Sequence, residues 1–167
     1  MPFSAAGCNL SRSTQSVINV QAPIAIRRAS AADREIIYEM ICRLENMALD
    51  RAGFDWAFDQ NIARPNITYF LAEQAQRPIG MVSCHIQPLL HHAALVSEIQ
   101  EMYVEPEYRS QQVGKALMEH VTAFAKGEGA IQMEVTSRAT REQAHRFYER
   151  EGFEKSHVKL VRYFKNE

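Results

Sequence analysis

The sequence predicts an α/β fold in one domain, with a mixed central sheet flanked by helices in the manner of the α+β class. The chain has 167 residues, of which 46% are hydrophobic, and a single domain commonly holds roughly 100 to 200 residues. Apolar residues change between helical spacing and strand alternation in the order β-α-α-β-β-β-α-β-α-β. Three consecutive strands with short connections predict an antiparallel meander. We interpret residues 23–167 as this domain and residues 1–22, which lack periodicity, as a flexible leader.

The first half of the domain is predicted to contain a strand and two helices. Residues 24–29 alternate, and Ser30 follows as an N-cap with Asp33 in the first helical turn. Apolar residues recur at a spacing of about 3.6 over residues 31–49, which predicts an amphipathic helix. A shorter helix is predicted over residues 54–64.

The second half is predicted to be richer in strands. Their alternating patterns occupy residues 67–74, 78–87, 95–104, 130–137 and 155–164. A helix that ends near Gly127 lies between the third and fourth of these strands. Thr140 and Gln143 form a capping-box pattern, which predicts that a further helix begins there and ends at Gly152.

Charge and cysteine usage exclude several classes of function. The formal net charge is -1, so the chain has no overall positive field that would attract nucleic acid or an anionic membrane. Cys8, Cys42 and Cys84 are odd in number and form no C-x-x-C pair, which argues against a disulfide framework and a structural zinc site. No apolar run approaches the ~20 residues that span a bilayer. We therefore expect a cytoplasmic protein without nucleic-acid or membrane partners.

The stretch EMYVEPEYRSQQVGKALMEH (101–120) has the order strand, polar loop, glycine, helix. It does not match the nucleoside triphosphate loop G-x-x-x-x-G-K-[ST], because Arg109 and Ala116 occupy the first and last positions. Successive backbone amides from Ser110 to Lys115 at a helix N-terminus would suit a pyrophosphate. The alternative is an ordinary turn between a strand and a helix.

The stretch AHRFYEREGF (144–153) predicts one side of the later helix. Ala144, Phe147, Tyr148 and Glu151 share that side at 3.6 residues per turn. By itself, this pattern is as consistent with a packed Tyr148 as with a catalytic one.

Together these two stretches resemble the GNAT superfamily of acyl-CoA-dependent N-acetyltransferases. YVEPEYRSQQVGKALM (103–118) is similar to the family's pyrophosphate loop, R/Q-x-x-G-x-G/A, and AHRFYEREGF is similar to its second signature, A-x-x-F-Y-x-x-x-G-F. The chain departs from the family at Gln112, where a glycine is usual, and at Arg141, where an asparagine often precedes the alanine. The resemblance covers the chain from about residue 24 to residue 164.

A narrower resemblance is to the aminoalkylphosphonate N-acetyltransferases. It is carried by HIQPLLHH (85–92), EIQEMYVEP (98–106) and AHRFYEREGFEKSH (144–157), and this group shares the unusual Gln112. The resemblance implies transfer of an acetyl group from acetyl-CoA to the amine of a small aminophosphonate, and it allows a divalent metal. Acetyl-CoA is then expected to contact Met102, Tyr103, Val104, Arg109, Ser110, Gln111, Gln112, Val113, Gly114, Lys115 and Arg141.

Amine acetylation requires a base, because an alkyl ammonium with a pKa near 10.4 is only about one part in a thousand neutral at pH 7. Glu98 matches the place where some family members carry a catalytic glutamate, although a salt bridge at the rim is the alternative. Strand alternation would put Glu98 on one face with Gln100 and Met102. Tyr148, matching the family's helix tyrosine, is the expected general acid for the departing thiolate. Backbone amides around Met102 to Val104 would polarise the thioester carbonyl.

The acceptor side is predicted from a histidine-rich hairpin and one arginine. His85, His91 and His92 could bind a phosphonate directly or through a metal, or they could be solvated hairpin residues. Arg51 lies between the first two predicted helices, where the fold usually meets its acceptor. Whether a metal is bound stays open at this stage.

These observations predict an acetyl-CoA-dependent N-acetyltransferase that acts by direct attack, with an aminoalkylphosphonate as the favoured acceptor. One alternative is another small amine, such as an amino sugar, a polyamine or an antibiotic. Another is a non-catalytic acyl-CoA-binding regulatory domain. A homodimer is expected because relatives often pair.

Overall fold

The computed structural model describes residues 22–164, so the predicted leader lies almost wholly outside the described residues. Six strands form one sheet: β1 (Ile24–Arg28), β2 (Ile67–Gln74), β3 (Arg77–Leu89), β4 (Ala94–Ile99), β5 (Met102–Val104) and β6 (Ala130–Val135). Four α-helices surround it: α1 (Arg34–Glu45), α2 (Arg51–Ile62), α3 (Val113–Gly127) and α4 (Glu142–Arg150). Short 3-10 turns precede α1 and α3, at Ala31–Asp33 and Pro106–Tyr108.

The sheet is mixed, as the sequence predicts. Its strand order is β1-β2-β3-β4-β6, and β5 continues beside β3 where β4 ends. β1 to β5 pair in antiparallel fashion, whereas β4 and β6 are parallel. The antiparallel meander of β2, β3 and β4 confirms the prediction from the three consecutive alternating runs.

Each face of the sheet is covered by helices, which creates two cores. One core packs α3, through residues such as Leu117 and Val121, against Val82 and Ile99 of the sheet. The other packs α1 and α2 against residues that include Tyr69, Leu71, Met81 and Tyr103. We call these two sides the α3 face and the α1/α2 face.

A bulge separates β4 from β5 and changes which residues share a face. Glu98 pairs with His85, but Met102 pairs with Val82, so β4 and β5 carry one more residue than β3 across this interval. Gln100 and Glu101 form the bulge, and their backbone amides both donate hydrogen bonds to the Ser83 hydroxyl oxygen, at 3.1 and 2.9 Å.

The bulge corrects one prediction from strand alternation. Met102 packs in the core under α3, whereas Tyr103 packs on the α1/α2 face. Glu98 lies opposite His85, whose ring contacts Tyr69 of the α1/α2 core edge-on at 6.3 Å between ring centroids. The prediction that Glu98 and Met102 share a face is therefore wrong, because the extra residue inverts the alternation between them.

Two further sequence predictions near the C-terminus are wrong. α4 begins at Glu142 and is preceded by Arg141, without a side-chain capping hydrogen bond, so Thr140 does not form the predicted capping box. Residues 138–141 instead close a turn, in which the Arg141 amide donates to the Arg138 carbonyl at 2.9 Å. Residues 155–164 are exposed and pair with no described strand, because no neighbour lies beside their alternating pattern.

The start of α1 is held by an ion pair whose contribution should depend on pH. Asp33 accepts two hydrogen bonds from Arg27, at 2.6 and 2.9 Å, and one from the Ser30 amide at 2.7 Å. The Arg27 hydrogen bond is the main reason that the pKa of Asp33 falls to about 2. Because this value lies below that of an unfolded aspartate, the stabilisation is present above about pH 4 and is lost as the pH falls towards 2.

Asp33→Asn is expected to lower the free energy of unfolding by about 1 to 2 kcal/mol at neutral pH, because it weakens both the pair and the cap. The difference from wild type should shrink below about pH 4, as measured by urea unfolding across a pH series. Asp59→Asn is the control, since Asp59 also pairs with an arginine but is 56% exposed against 11% for Asp33. An equal loss in both variants, or a difference independent of pH, would contradict this account.

Candidate active site

A cleft of about 1390 Å³ lies between the end of α1, strand β5, the start of α3 and one side of α4. Most of the residues that the sequence assigns to acetyl-CoA and its chemistry line this cleft: Met102, Tyr103, Val104, Arg109, Ser110, Gln112, Gly114, Lys115, Arg141 and Tyr148. Gln111 and Val113 do not line it. The Gln111 amide group donates to the Glu107 carbonyl at 2.6 Å, and Val113 is buried in the core under α3.

The loop before α3 presents the N-terminus of that helix to the cleft. The Arg109 side chain donates to the Val104 carbonyl at 3.0 Å, which ties the loop to the end of β5. Ser110 and Gln112 both adopt left-handed backbone conformations, with φ of 61° and 66°. Gln112 occupies the N-cap position of α3, and its side chain makes no capping hydrogen bond. The first amides of a 15-residue helix are thus available to an anion, where the helix dipole also favours negative charge.

Gln112 adopts a conformation that favours glycine at the position where the family usually has one. A left-handed residue other than glycine costs roughly 1 kcal/mol, yet the exposed Gln112 side chain lies at the rim of the cleft. The loop therefore adopts the left-handed conformation at residue 112 with glutamine in place of the glycine that is usual at this position.

Gly114 allows α4 to pack directly on the start of α3. A Cβ atom at this position would lie 3.1 and 3.3 Å from two ring carbons of Phe147, and 3.7 Å from the Met102 methyl carbon. The nearest described neighbours of Gly114 are thus side chains of α4 and β5, which border the cleft. The absence of a side chain here sets the distance between the two walls.

Gly114→Ala is expected to weaken coenzyme A binding by about 10-fold, because the added methyl group displaces Phe147 and with it the α4 wall. Isothermal titration with coenzyme A would measure the change. Gly127→Ala is a matched control in the same helix, since a Cβ atom there meets nothing within 4 Å. Equal affinity of the Gly114→Ala variant and this control would show that the packing does not set the binding geometry.

Tyr148 lies in the wall of the cleft with its ring packed between two phenylalanines. Its ring centroid lies 5.3 Å from that of Phe147 and 5.5 Å from that of Phe153, and both arrangements are edge-to-face. Burial raises the pKa of the Tyr148 phenol, and nearby Arg141 partly offsets this effect. The phenol therefore keeps its proton throughout the neutral pH range and can donate a hydrogen bond into the cleft.

Arg141 connects the α4 side of the cleft to α1. Its guanidinium donates to the Leu44 carbonyl and lies 3.7 Å from a Glu45 carboxylate oxygen. The other oxygen of Glu45 accepts from Arg138 at 2.6 Å. Two arginines thus share one carboxylate at the cleft, which leaves a net positive charge in this cluster.

The predicted base, Glu98, lies outside the lining of the cleft. Glu98 lies on β4, between β3 and β6, and its carboxylate accepts a hydrogen bond from the Thr136 hydroxyl at 3.3 Å. Its partners on the two neighbouring strands are also titratable: His85 on β3 and Glu134 on β6.

Glu101, which sequence reasoning did not select, lines the cleft from the bulge. Its Oε2 atom is buried and has no hydrogen-bond partner among residues 22–164. Burial is the main reason that the pKa of Glu101 is raised, and the charges of Glu45 and Glu98 add to the effect against an opposing contribution from Ser83. A buried carboxyl with a raised pKa is suited to accept a proton near neutral pH.

Glu101 also lines a second cavity of about 360 Å³ between α1, α2 and β2. Ile41 is the other residue that borders both spaces. The remaining lining is mostly apolar and aromatic, and none of its described residues is cationic: Ile37, Leu49, Asp50, Gly53, Phe54, Ala57, Phe58, Asn61 and Tyr69. The bulge therefore places one carboxylate at the junction of the cleft and an apolar chamber.

The predicted acceptor residues do not come together. Arg51 pairs with Glu35 at 2.8 Å and with Asp55 at 3.0 Å, so its charge is already matched. The rings of His91 and His92 are 4.3 Å apart at the turn after β3, away from the lining of the cleft.

His85 is half-buried in β3, where burial lowers its pKa. Its Nε2 atom has no hydrogen-bond partner in the described part of the chain. Within that part, no group of three or more His, Cys, Asp or Glu side chains is arranged to hold a metal ion.

The fold and the cleft together define an acyl-CoA-dependent acyltransferase. The family model described as the Acetyltransferase (GNAT) family matches residues 35–153. The chain belongs to this family and is a GNAT N-acetyltransferase, for which acetyl-CoA is the typical cosubstrate.

Curated relatives support the same assignment. The chain is 37% identical over 137 residues to an aminoalkylphosphonate N-acetyltransferase of Salmonella typhimurium. The aligned region covers 82% of this chain and 89% of that protein. It is 30% identical over 104 residues to an uncharacterized N-acetyltransferase of Methanocaldococcus jannaschii, covering 62% of this chain and 46% of that protein.

Solved structures share the fold at low sequence identity. A transcriptional regulator from Bacillus halodurans matches with a TM-score of 0.77 at 23% identity, over 85% of this chain and 100% of that one. An aminoglycoside N-acetyltransferase in complex with CoA matches with a TM-score of 0.77 at 16% identity, over 90% and 99%. Glucosamine-6-phosphate N-acetyltransferase from Arabidopsis thaliana matches with a TM-score of 0.70 at 18% identity, over 86% of this chain and 99% of that one. These likenesses concern the fold alone.

In residues 22–164, no helix combines the length and the apolar character that crossing a membrane requires.

Proposed function

We propose that this N-acetyltransferase acetylates the amine of an aminoalkylphosphonate. The observation that carries the proposal is the 37% identity to the Salmonella aminoalkylphosphonate N-acetyltransferase, which extends over most of both chains. The N-terminus of α3 would hold the pyrophosphate of acetyl-CoA, with Arg109 and Lys115 adding positive charge at the same loop. The acetyl group would lie towards β5 and the bulge.

The proposed reaction is a direct transfer in which the charges balance. The acceptor ammonium gives a proton to a carboxylate, and the neutral amine then attacks the thioester carbonyl carbon. The carbonyl π electrons move to oxygen, and backbone amides near Met102 would stabilise the resulting oxyanion. As the carbonyl re-forms, the carbon–sulfur bond breaks and the thiolate leaves with a hydrogen bond from Tyr148. The nitrogen, which is positively charged after the attack, loses its second proton to the departing thiolate, so the products are the neutral amide and the coenzyme A thiol.

Two carboxylates, Glu98 and Glu101, are candidates for the base that accepts the ammonium proton. Glu98 stays a candidate, but it lies beside His85 and Thr136 and outside the cleft lining. Glu101 lines the cleft, lacks a partner for Oε2 and has a raised pKa. We therefore propose Glu101 as the base and Glu98 as the comparison that tests it.

A phosphonate group needs a cationic partner, and two arginines that line the cleft, Arg138 and Arg141, are candidates for it. Arg138 and Arg141 share Glu45, so this cluster keeps one positive charge beyond its internal pairs. Arginine forms bidentate hydrogen bonds to phosphonate-like oxygens. We propose that this cluster, rather than Arg51 or the hairpin histidines, receives the phosphonate.

Another small amine is the second candidate acceptor, and the apolar cavity beside Glu101 favours it. An anionic group would be unfavourable there, because Asp50 and Glu101 are its charged lining residues and none of the other described residues in the lining is a cation. An amine with an apolar or aromatic body could place its nitrogen at Glu101 and its body against Phe54 and Phe58.

One assay separates these acceptors: release of free thiol from acetyl-CoA with aminomethylphosphonate, 2-aminoethylphosphonate, phenethylamine or an amino sugar, each with and without a chelator. The expected result is release with the phosphonates, and the arm with the chelator reports whether a divalent metal takes part. Release with phenethylamine alone would transfer the assignment to the apolar cavity. Loss of release with the chelator would show that a divalent metal takes part.

The arginine cluster has a test of its own. Arg138→Gln should raise the KM for the phosphonate by about 10-fold or more and leave the KM for acetyl-CoA nearly unchanged, because Arg138 lines the cleft, is 69% exposed and would bind the phosphonate in this proposal. Arg77→Gln is the matched control, because Arg77 is 63% exposed and pairs with a carboxylate, Glu107, but does not line the cleft. Equal effects of both changes would remove the cluster from the acceptor site.

A further inference from the structure

The apolar cavity between α1, α2 and β2 is a preformed space with tightly packed walls. Its volume is about 360 Å³. Three of its lining residues, Ile37, Phe58 and Tyr69, are only 2%, 3% and 5% exposed. Phe54 stacks on Phe58 with 5.9 Å between the ring centroids. An apolar group that enters this space is therefore removed from water without rearrangement of the wall.

The polar side chains in the wall of the cavity are paired with one another or with the backbone. The Asp50 carboxylate accepts a hydrogen bond from the Gly53 amide at 2.6 Å. The Asn61 side-chain amide donates to the Tyr69 hydroxyl at 2.9 Å. Burial is the main reason that the pKa of Tyr69 is raised to about 12, so this phenol is neutral at physiological pH. These groups have partners already, and the cavity is better suited to an apolar occupant than to a polar or charged one.

Glu101 places the amine of the acceptor at the opening of this cavity. Glu101 borders both the cavity and the cleft, and in the function proposed above its carboxylate receives the ammonium proton. The carbon that carries the amine is one bond from the nitrogen, or about 1.5 Å. The phosphonate on that carbon lies towards Arg138 and Arg141 in the cleft. A further group on the same carbon can then enter the cavity.

We propose that the apolar cavity receives a large apolar substituent on the carbon that carries the acceptor amine. This assignment rests on the proposed function and narrows its substrate class to aminophosphonates with a branched or aromatic side chain on that carbon. The amine lies at Glu101, the phosphonate lies at the two arginines, and the side chain fills the space between α1, α2 and β2. Aminomethylphosphonate has no such side chain and leaves the cavity unfilled.

The volume of the cavity is adequate for a side chain of four to seven carbon atoms. A water molecule occupies about 30 Å³ of the liquid. If each heavy atom of the substituent needs a similar volume, an isobutyl group takes on the order of 120 Å³ and a benzyl group on the order of 210 Å³. Both are smaller than 360 Å³. Each methylene group that leaves water for an apolar wall strengthens binding by about fourfold, so a substituent of this size has a measurable effect.

Comparison of three phosphonates with the full-length enzyme tests the assignment. The kcat/KM for thiol release is measured with aminomethylphosphonate, 1-amino-3-methylbutylphosphonate and 1-amino-2-phenylethylphosphonate, with the enantiomers of the last two assayed separately. We expect the better enantiomer of each substituted compound to have a kcat/KM at least about 10-fold above that of aminomethylphosphonate. Values that do not exceed that of aminomethylphosphonate would overturn the assignment and leave the proposed function standing. No release with any of the three phosphonates would overturn both.

A variant that fills the cavity identifies where the substituent lies. Ala57 lines the cavity from α2, and Ala57→Leu adds three carbon atoms there while keeping a residue that favours the helix. The ratio of kcat/KM for 1-amino-3-methylbutylphosphonate to that for aminomethylphosphonate is expected to fall by about 10-fold. Because both values come from one preparation, the ratio does not depend on the fraction of enzyme that is folded.

Ala52→Leu is the matched control, since Ala52 lies in the same helix but is exposed and does not line the cavity. Its ratio should equal that of wild type. The same ratio in Ala57→Leu as in this control would show that the substituent lies elsewhere, and the assignment would then be wrong.

Discussion

Replacing Glu101 with glutamine is expected to lower the turnover number by about 10²- to 10⁴-fold, which is the usual contribution of a positioned base. Glu101 is the carboxylate that borders both the cleft and the apolar cavity, and its buried Oε2 lacks a partner in the described part of the chain. Glutamine preserves the shape of the side chain but cannot accept the ammonium proton. Steady-state measurement of thiol release with saturating acetyl-CoA would give the change.

The same substitution should lower the activity, change its dependence on pH and raise the stability of the fold. Because the pKa of Glu101 is raised, wild-type turnover should fall on the acid side at a higher pH than an ordinary glutamate would give, and the variant should lose this dependence. A carboxyl group whose folded pKa exceeds its unfolded value destabilises the fold once both states are ionised. The Glu101→Gln variant is therefore expected to be less active and yet more stable at neutral pH.

Glu98→Gln is the matched control for this prediction, because Glu98 lies on the same side of the sheet but outside the cleft lining. We expect its turnover to stay within about 3-fold of wild type. A large loss of turnover in Glu98→Gln and a small one in Glu101→Gln would instead identify Glu98 as the base and refute the role proposed for Glu101.

Tyr148→Phe is expected to lower the turnover number by about 10- to 100-fold while the KM for acetyl-CoA changes little. The ring would stay packed between Phe147 and Phe153, so only the hydroxyl group is lost. Because burial raises the pKa of this phenol, we propose that it acts mainly as a hydrogen-bond donor to the departing sulfur.

Tyr108→Phe serves as the control, since Tyr108 packs against the core near the same loop without lining the cleft. Its kinetic constants should match those of wild type. Weaker coenzyme A binding with normal turnover at saturation in Tyr148→Phe would instead make Tyr148 a positioning residue.

The regular elements were predictable where their apolar patterns are long and uninterrupted. β2 has the predicted bounds, and α3 ends at Gly127 as its spacing indicates. α2 begins three residues before its predicted start, because the Asp50 carboxylate caps it by accepting from the Gly53 amide at 2.6 Å. Patterns of hydrophobicity report burial, and they do not report such local caps.

The candidate site was less predictable, because its decisive feature is a change of register. Glu98 and Glu101 both lie in the run from residue 95 to residue 104, which reads as one alternating strand. Only the pairing with β3 reveals the bulge, and only the packing of α1 and α2 reveals the cavity at which Glu101 lies. Likewise, the alternating pattern of residues 155–164 predicts a strand, but a strand also needs a neighbour to pair with, and these residues have none among those described.

The bulge also determines where this protein can change length. Deleting Gln100 would let β4 and β5 join into one continuous strand opposite β3, and Met102, Tyr103 and Val104 would keep their present faces. A deletion inside β2 or the middle of β3 would instead turn every later side chain of that strand to the opposite layer. We therefore expect single-residue length differences among relatives to collect at this point, and an alignment that puts the gap elsewhere would compare the wrong carboxylates.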